Sequence, residues 1–267
     1  MSIHPTAVID SAADVHPDAR IDPYVVIEGP VRIGARTRVM PHCYLTGWTV
    51  IGEDNIIHPG AVIGHEPQDL AFSGAESYLR IGHRNVFREY SQVHRGTAPG
   101  SATVVGDDNY LMQNAHVAHN CEIGNHVIIA GGALVAGYGV VEDLAFISGN
   151  CVVHQHIRIG TLAIMRGLSR TSRDVPPFCV MDYTHTVRGV NLVGLRRAGF
   201  SRDRIRAIRT AFQLLFARST NLRAAMAEIE AAGPASDDVA YLLEFIRSST
   251  RGVATGGRKR GAAPGED

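Results

Sequence analysis

The chain has 267 residues, with 26 basic and 26 acidic side chains and a formal net charge of zero, which removes nucleic acid as the default partner. Its length allows one long domain plus an appendage, with an ample core. No apolar run approaches the roughly 20 residues of a membrane span, and the chain opens directly into regular structure at Ile3, not into a signal peptide; a cytoplasmic protein without stable membrane insertion is expected.

From Ile3 onward every sixth residue is large and apolar. Of the 28 positions from 3 to 165 in steps of six, 25 carry Ile, Val, Leu, Phe or Met, the exceptions being Asp69, Ala75 and Pro99. This hexapeptide repeat predicts a parallel β-helix over residues 1–178. Four residues after each anchor the side chain is usually small, as at Ala7, Ala61, Ala115 and Ala163. Strand side chains alternate, so the small residue and the next anchor point inward and the residue between them points out. Three hexapeptides make one coil of a triangular prism, and residues one coil apart stack at roughly 4.8 Å. Glycine often follows the anchor (Gly34, Gly52, Gly82, Gly106, Gly124), where a corner is expected to use positive φ. Cys43, Cys121 and Cys151 fall at inward positions and read as core packing, not as disulfides or metal ligands.

Two polar stretches, 64–80 and 94–104, interrupt the pattern without shifting its register, and they read as loops thrown out from the prism. Val175-Pro176-Pro177 is expected to end the β-helix, because two prolines cannot continue a ladder. A helical C-terminal domain is expected over 179–251. Ile205, Ile208, Phe212 and Leu215 share one helical face after a cap at Ser201, and further helices near 219–231 and 237–248 are separated by Gly233-Pro234. Residues 252–267 read as a disordered tail. Two outward columns, one through Val8, Val26, Tyr44 and Val62 to His116, Leu134 and Val152, the other Tyr110, Ile128, Phe146 and Ile164, are too apolar for a solvated face. Self-association along the prism is the economical reading, and a cyclic homotrimer suits a three-sided rod.

The densest candidate site is the stretch from Asn114 to Cys121. His116 points outward, His119 lies at a corner and Cys121 points inward, so these ligand types diverge and a zinc site would need ligands from another subunit. General acid–base chemistry by His119 fits better. Gly137 lies one rung above His119 and Gln155 two, which stacks a base, a glycine N–H open to close approach and an amide in one column. No nucleophile elbow, phosphate loop or dinucleotide fingerprint is present.

Gln68-Asp69-Leu70, Val93-His94-Arg95-Gly96-Thr97, Asn114 to His119, Val153-His154-Gln155, Asp174 to Pro177, Gly189-Val190-Asn191, Gly199-Phe200-Ser201 and Ser249 to Gly252 together carry a resemblance. Along nearly its whole length the chain resembles the UDP-N-acetylglucosamine acyltransferases that begin lipid A biosynthesis. The resemblance implies a left-handed β-helix with a helical C-terminal domain, a homotrimer with active sites between subunits, and no cofactor or metal. It implies transfer of a (3R)-hydroxyacyl chain from acyl carrier protein to the glucosamine 3-position of a UDP-sugar. His119 matches the general base and Gly137 the oxyanion donor. Asp69 and His116 match positions that contact sugar and acyl chain, His154 and Gln155 match the acyl and pantetheine path, and Arg197 matches a phosphate contact.

Gly167 falls where relatives gauge acyl length, and Arg166 beside it is expected to restrict the chain. Several residues depart from the pattern: Asn120 stands where many relatives have Asp, Ala71 replaces a lysine, Tyr138 a histidine and Ala198 an arginine, and the stretch Met181 to Arg188 is about two residues short. Three other readings remain open. They are a paralogue that acylates a different sugar nucleotide, such as a 3-amino sugar giving an amide, a zinc-dependent β-helix hydratase, and a scaffold without catalysis.

Overall fold

The structure, a computed structural model, describes residues 2–218 and 221–256. It is a left-handed parallel β-helix whose coils lay strands in turn on three flat faces. The first face begins with Ser2–Ile3 and Arg20–Ile21, the second with Val8–Ile9 and Val26–Glu28, and the third with Asp14–Val15 and Arg32–Ile33. Registers such as Val8↔Val26 and His116↔Leu134 place equivalent hexapeptide positions on one another. The anchors Ile27, Leu45, Ile57, Leu111, Ile129, Ile147 and Ile159 are fully buried, as period-two alternation requires. Val8, Leu134 and Val152 are exposed along the second face. The first coil is looser: Ile3, Ala7, Ile9, Ala13 and Val15 are only partly buried, and among the described residues no strand stacks beneath them.

Some inward positions are polar and still satisfied. Asn55, Asn85 and Asn109 are buried and stack as a ladder: the Asn85 N–H donates to Asn55 Oδ1 at 2.9 Å, that of Asn109 to Asn85 Oδ1 at 2.9 Å, and that of Val127 to Asn109 Oδ1 at 2.7 Å. Each buried amide therefore takes up a corner N–H that would otherwise be orphaned.

The corners work differently from the expectation. The left-handed residue is the third after the anchor and is usually not glycine, as at Arg36, Asp54, Arg84, Asp108 and Asn120. The glycines that follow the anchors on the edge between the third and first faces have ordinary φ. They are small for another reason: a Cβ on Gly34 would sit 2.6 Å from the carbonyl of Gly52, and one on Gly106 would sit 2.6 Å from that of Gly124. Backbone cannot swing aside as a side chain does. Gly34→Ala is accordingly expected to destabilise the fold by about 1–3 kcal/mol, the usual cost of overpacking. A thermal melt that matches the wild type would show that the edge relaxes freely.

The β-helix does not stop at the prolines. Val175 still bridges Ile159, and Cys179–Asp182 adds a strand parallel to Ile164–Met165. Pro176 and Pro177 lie at a corner, between the ladder hydrogen bonds of Val175 N–H to Arg158 O and Phe178 N–H to Thr161 O, so no ladder donor is missing. Thr186–Val190 then turns back antiparallel. The region after 178 thus opens as sheet, and helices follow: α1 (Leu192–Arg197), α2 (Arg202–Phe212) continuing into a π-helical turn (Gln213–Arg218), α3 (Leu222–Ala231) and α4 (Asp237–Arg247).

Ser201 caps α2 through the Arg204 N–H, and Ser236 caps α4 through that of Val239. Residues 252–256, expected in the tail, are built into the fold: Val253 and Ala254 are buried, Val253 bridges Asp174, and Thr255–Gly256 pairs with Thr186–Val190. The rest of that expected tail, 257–267, lies outside the described residues. The loops are shorter than expected, because strands Val62–His65, Tyr78–Ile81, Gln92–His94 and Ala102–Val105 claim their ends. Among the described residues no helix is long and apolar enough to cross a membrane.

Candidate active site

Both loops leave the prism at one edge, between the second and third faces. Residues 66–77 follow Val62–His65 and residues 95–101 follow Gln92–His94. Their roots are tied together by buried polar groups. His94 Nδ1 lies 2.6 Å from the Glu66 carbonyl. Buried Arg95 donates to the Gly64 carbonyl at 3.0 Å and lies over the rings of Trp48 and Phe72. The next coil crosses the same edge at Ala118-His119-Asn120-Cys121, so the loops open beside His119.

His119 is only 9% exposed, deeper than a corner position suggests. Asp69 comes from the first loop, and its Oδ2 lies 3.8 Å from His119 Nε2. The Ala71 N–H donates to Asp69 Oδ1 at 2.9 Å, so the backbone at the lysine-substituted position turns back to hold the carboxylate. Asn120 Oδ1 lies 3.1 Å from His119 Nδ1. Gly137 covers the ring: a Cβ there would sit 2.6 Å from His119 Nε2. Among the described residues the Gly137 N–H meets no acceptor. A basic nitrogen, a carboxylate and a glycine N–H without an acceptor therefore lie side by side on one edge of the prism, which is the equipment for deprotonating a hydroxyl and stabilising an oxyanion.

Around this core two imidazoles, those of His94 and His116, are pushed below the usual histidine range. His116 projects from the second face beside His94, with ring centroids 5.1 Å apart. Burial, then the neighbouring His94 and His119, push its pKa down to about 4. Burial also lowers that of His94. Both are uncharged near neutrality and serve as hydrogen-bonding groups. Cys121 faces the core, with its thiol donating to the Ala136 carbonyl at 3.2 Å and its pKa raised to about 12 by burial. It diverges from His116 and His119, and among the described residues no three His, Cys, Asp or Glu side chains could hold a metal ion.

The other expected residues lie elsewhere. His154 and Gln155 are exposed two rungs above His119 on the same edge. Gly167 and Arg166 follow Ile164–Met165 and occupy the edge between the first and second faces, where Arg166 reaches Asp182 at 3.2 Å. Arg197 is exposed in the last turn of α1, whose cap Asn191 bonds the Leu162 carbonyl on the remaining edge. One chain therefore assembles His119, Gly137, Asp69 and His116 but spreads Gly167, Arg166 and Arg197 over its other edges. Thr97, unassigned in the sequence, also belongs to the site through Asn120. Its motif was visible, but its role depends on how the second loop folds back.

Comparison with known proteins agrees with this architecture. Residues 174–254 match the family of the UDP-N-acetylglucosamine O-acyltransferase second domain, and 30–65 and 102–137 match the bacterial transferase hexapeptide family. The chain is 42% identical over 258 residues to the acyl-[acyl-carrier-protein]–UDP-N-acetylglucosamine O-acyltransferase of Verminephrobacter eiseniae, covering 94% of this chain and 98% of that one. Its structure is similar to the UDP-N-acetylglucosamine acyltransferase of Francisella novicida (TM-score 0.92, 30% identity, 99% and 100% coverage). It is also similar to that of Bacteroides fragilis (TM-score 0.88, 37% identity, 94% and 99% coverage). Likeness on this scale runs through the coils, both loops and the C-terminal helices alike, and the chain belongs to the UDP-N-acetylglucosamine O-acyltransferase family.

Proposed function

We propose that this protein transfers a (3R)-hydroxyacyl chain from acyl carrier protein to the 3-hydroxyl of UDP-N-acetylglucosamine, the step that opens lipid A biosynthesis. The observation that carries the reading is the juxtaposition of His119, Asp69 and Gly137, whose N–H has no acceptor among the described residues, in a chain of this family. His119 Nε2 takes the proton of the sugar hydroxyl as its oxygen attacks the thioester carbonyl. The Gly137 N–H receives the negative charge that develops on the carbonyl oxygen. The tetrahedral intermediate collapses to the ester, and the pantetheine thiolate leaves with the proton that the imidazolium returns.

His116, neutral and beside the base, contacts substrate without adding charge. His154 and Gln155 continue the column as the acyl and pantetheine path. Arg197 contacts a nucleotide phosphate, and Gly167 with Arg166 bounds the acyl chain. Because these last residues occupy other edges, the working unit is a homotrimer in which a neighbouring copy supplies them, joined along the exposed apolar columns. Its proposed place of work is the cytoplasm.

A mass-spectrometric assay with several UDP-sugars and acyl-carrier-protein chain lengths tests the assignment. An ester of UDP-N-acetylglucosamine is expected. An amide formed only on a 3-amino sugar would move the chain to a paralogous activity, and no acylated product would reject acyl transfer.

The donor's acidic carrier needs a basic surface. Arg196, Arg202, Arg206 and Arg209 surround a cavity of about 420 Å3 on α1 and α2. Arg206 makes an exposed pair with Asp203 at 3.1 Å, one helical turn away, whereas Arg204 is bound into the fold: it pairs with Asp238 at 2.7 Å and lies 3.7 Å over the Phe200 ring. Reversing both Arg202 and Arg206 to Glu is expected to raise the KM for the acyl carrier protein roughly tenfold at low salt, an effect that shrinks as ionic strength rises. An unchanged KM would remove this surface from docking.

A further inference from the structure

We infer that Thr97 and Tyr138 are positioning residues that lock His119 into a single tautomer, through a hydrogen-bond chain whose every proton has a fixed direction. The inference rests on the reading of His119 as the base, but its geometry stands apart from it. The Thr97 N–H lies 3.1 Å from Asn120 Oδ1. A backbone N–H only donates, so the amide atom facing it must be oxygen, whichever way an asparagine is drawn. That same oxygen lies 3.1 Å from His119 Nδ1 and 2.9 Å from Thr97 Oγ1.

Two consequences follow from valence. The imidazole must carry its proton on Nδ1, because an amide oxygen has none to give, and the Nε2 lone pair is left facing Asp69 and the opening. The single hydroxyl proton of Thr97 goes to Asn120, so the 3.1 Å contact between Thr97 Oγ1 and Tyr138 Oη is closed by the tyrosine proton. The order is Tyr138 O–H to Thr97 Oγ1, Thr97 O–H to Asn120 Oδ1, and His119 Nδ1–H to the same oxygen.

The backbone prepares this arrangement. Asn120 and Tyr138 are both left-handed corner residues, with φ of 59° and 60°, one rung apart. That conformation stands the Tyr138 ring edge-on to His119, at 5.4 Å and 87°, and stacks it on His156 at 4.7 Å and 11°. The tyrosine is thus held from above while its hydroxyl reaches Thr97 on the loop.

No member of the chain can take a proton from Nδ1, so it orients the base without relaying charge. Among the described residues Asp69, on the opposite nitrogen, is the carboxylate within ion-pair range of the ring. Compensation for the imidazolium formed in the reaction falls to it.

The test reads the tautomer directly. Long-range 1H–15N correlation spectra of the full-length, histidine-labelled protein, with His119 assigned by its loss in His119→Ala, are expected to show the Nδ1–H form. Thr97→Val and Tyr138→Phe should yield a mixture, and Thr97→Ser should restore the single form. In acyl transfer, Thr97→Val should lower kcat about tenfold, part of the roughly 10²–10⁴ that a positioned base supplies, with little change in KM. Asn120→Asp, which places a carboxylate behind Nδ1, should move the acid limb of the kcat/KM profile to higher pH.

An Nε2–H tautomer in the wild type, or a Thr97→Val spectrum and kcat both equal to wild type, would overturn the inference. Loss through KM alone would reassign Thr97 to loop placement and overturn it as well. A protein with the Nδ1–H form and no acyl transfer would leave the lock standing and reject the activity instead.

Discussion

Replacing His119 with alanine is expected to lower kcat by at least about a hundredfold, the least that loss of a positioned general base costs. The fold should survive. The ring is buried against Gly137 and Tyr138, but the continuous stack of anchors from Ile21 to Met165 lies on the other side of the backbone and loses no contact. KM should change little, because the base acts on a hydroxyl already bound by other groups. Steady-state kinetics paired with circular dichroism decide the matter: a folded variant with near wild-type kcat removes His119 from the mechanism.

Gly137→Ala should be nearly as severe although it adds a single methyl group. The backbone at 137 does not need a left-handed conformation, so the substitution is tolerated locally. Its cost arises across the rung, where the new methyl would press on His119 at 2.6 Å from Nε2. The ring must rotate or the glycine N–H must retreat, and the reaction needs both in place. Loss of one oxyanion donor alone costs about 10²–10³ in kcat. Because both residues act on one event, the double variant His119→Ala/Gly137→Ala should be little worse than His119→Ala. Additive losses would mean that Gly137 acts independently of the base.

The relation between these two residues could be read from the sequence, because the repeat turns position into geometry: Gly137 follows His119 by one coil, and both share a corner. The same arithmetic placed His116 outward and Cys121 inward, as found. It failed where the period is absent. Asp69 sits in a register slot inside a loop, and only the family motif singled it out; its approach to Nε2 depends on Arg95 gripping Trp48 and Phe72 at the loop's base.

Thr97 was part of a recognised motif yet had no assigned role, since no periodicity says which way residues 95–101 fold. Nothing in the sequence sets Arg204 apart from the arginines around it, because its partner Asp238 is brought close only when α2 packs on α4. Pro176 and Pro177 fail to end the coil for a related reason. They stand at a corner, where the N–H groups they lack are not required by the ladder.

The two ends of the rod are unlike. At the C-terminal end the last coil is covered by α4, with Arg158 over the Phe245 ring, and by Val253 bridging Asp174. At the other end the first coil has half-buried anchors and, among the described residues, no neighbour below. In a stack where each rung touches only the next, stability is a sum of nearest-neighbour terms, and the terminal rung with one neighbour is the first to open. Unzipping therefore has a polarity: it starts at Ile3 and must pass five coils before it reaches the coil of His119. The rung of His119 lies past the middle of the rod, nearer the sealed end than the open one, so fraying of the first coil leaves it undisturbed.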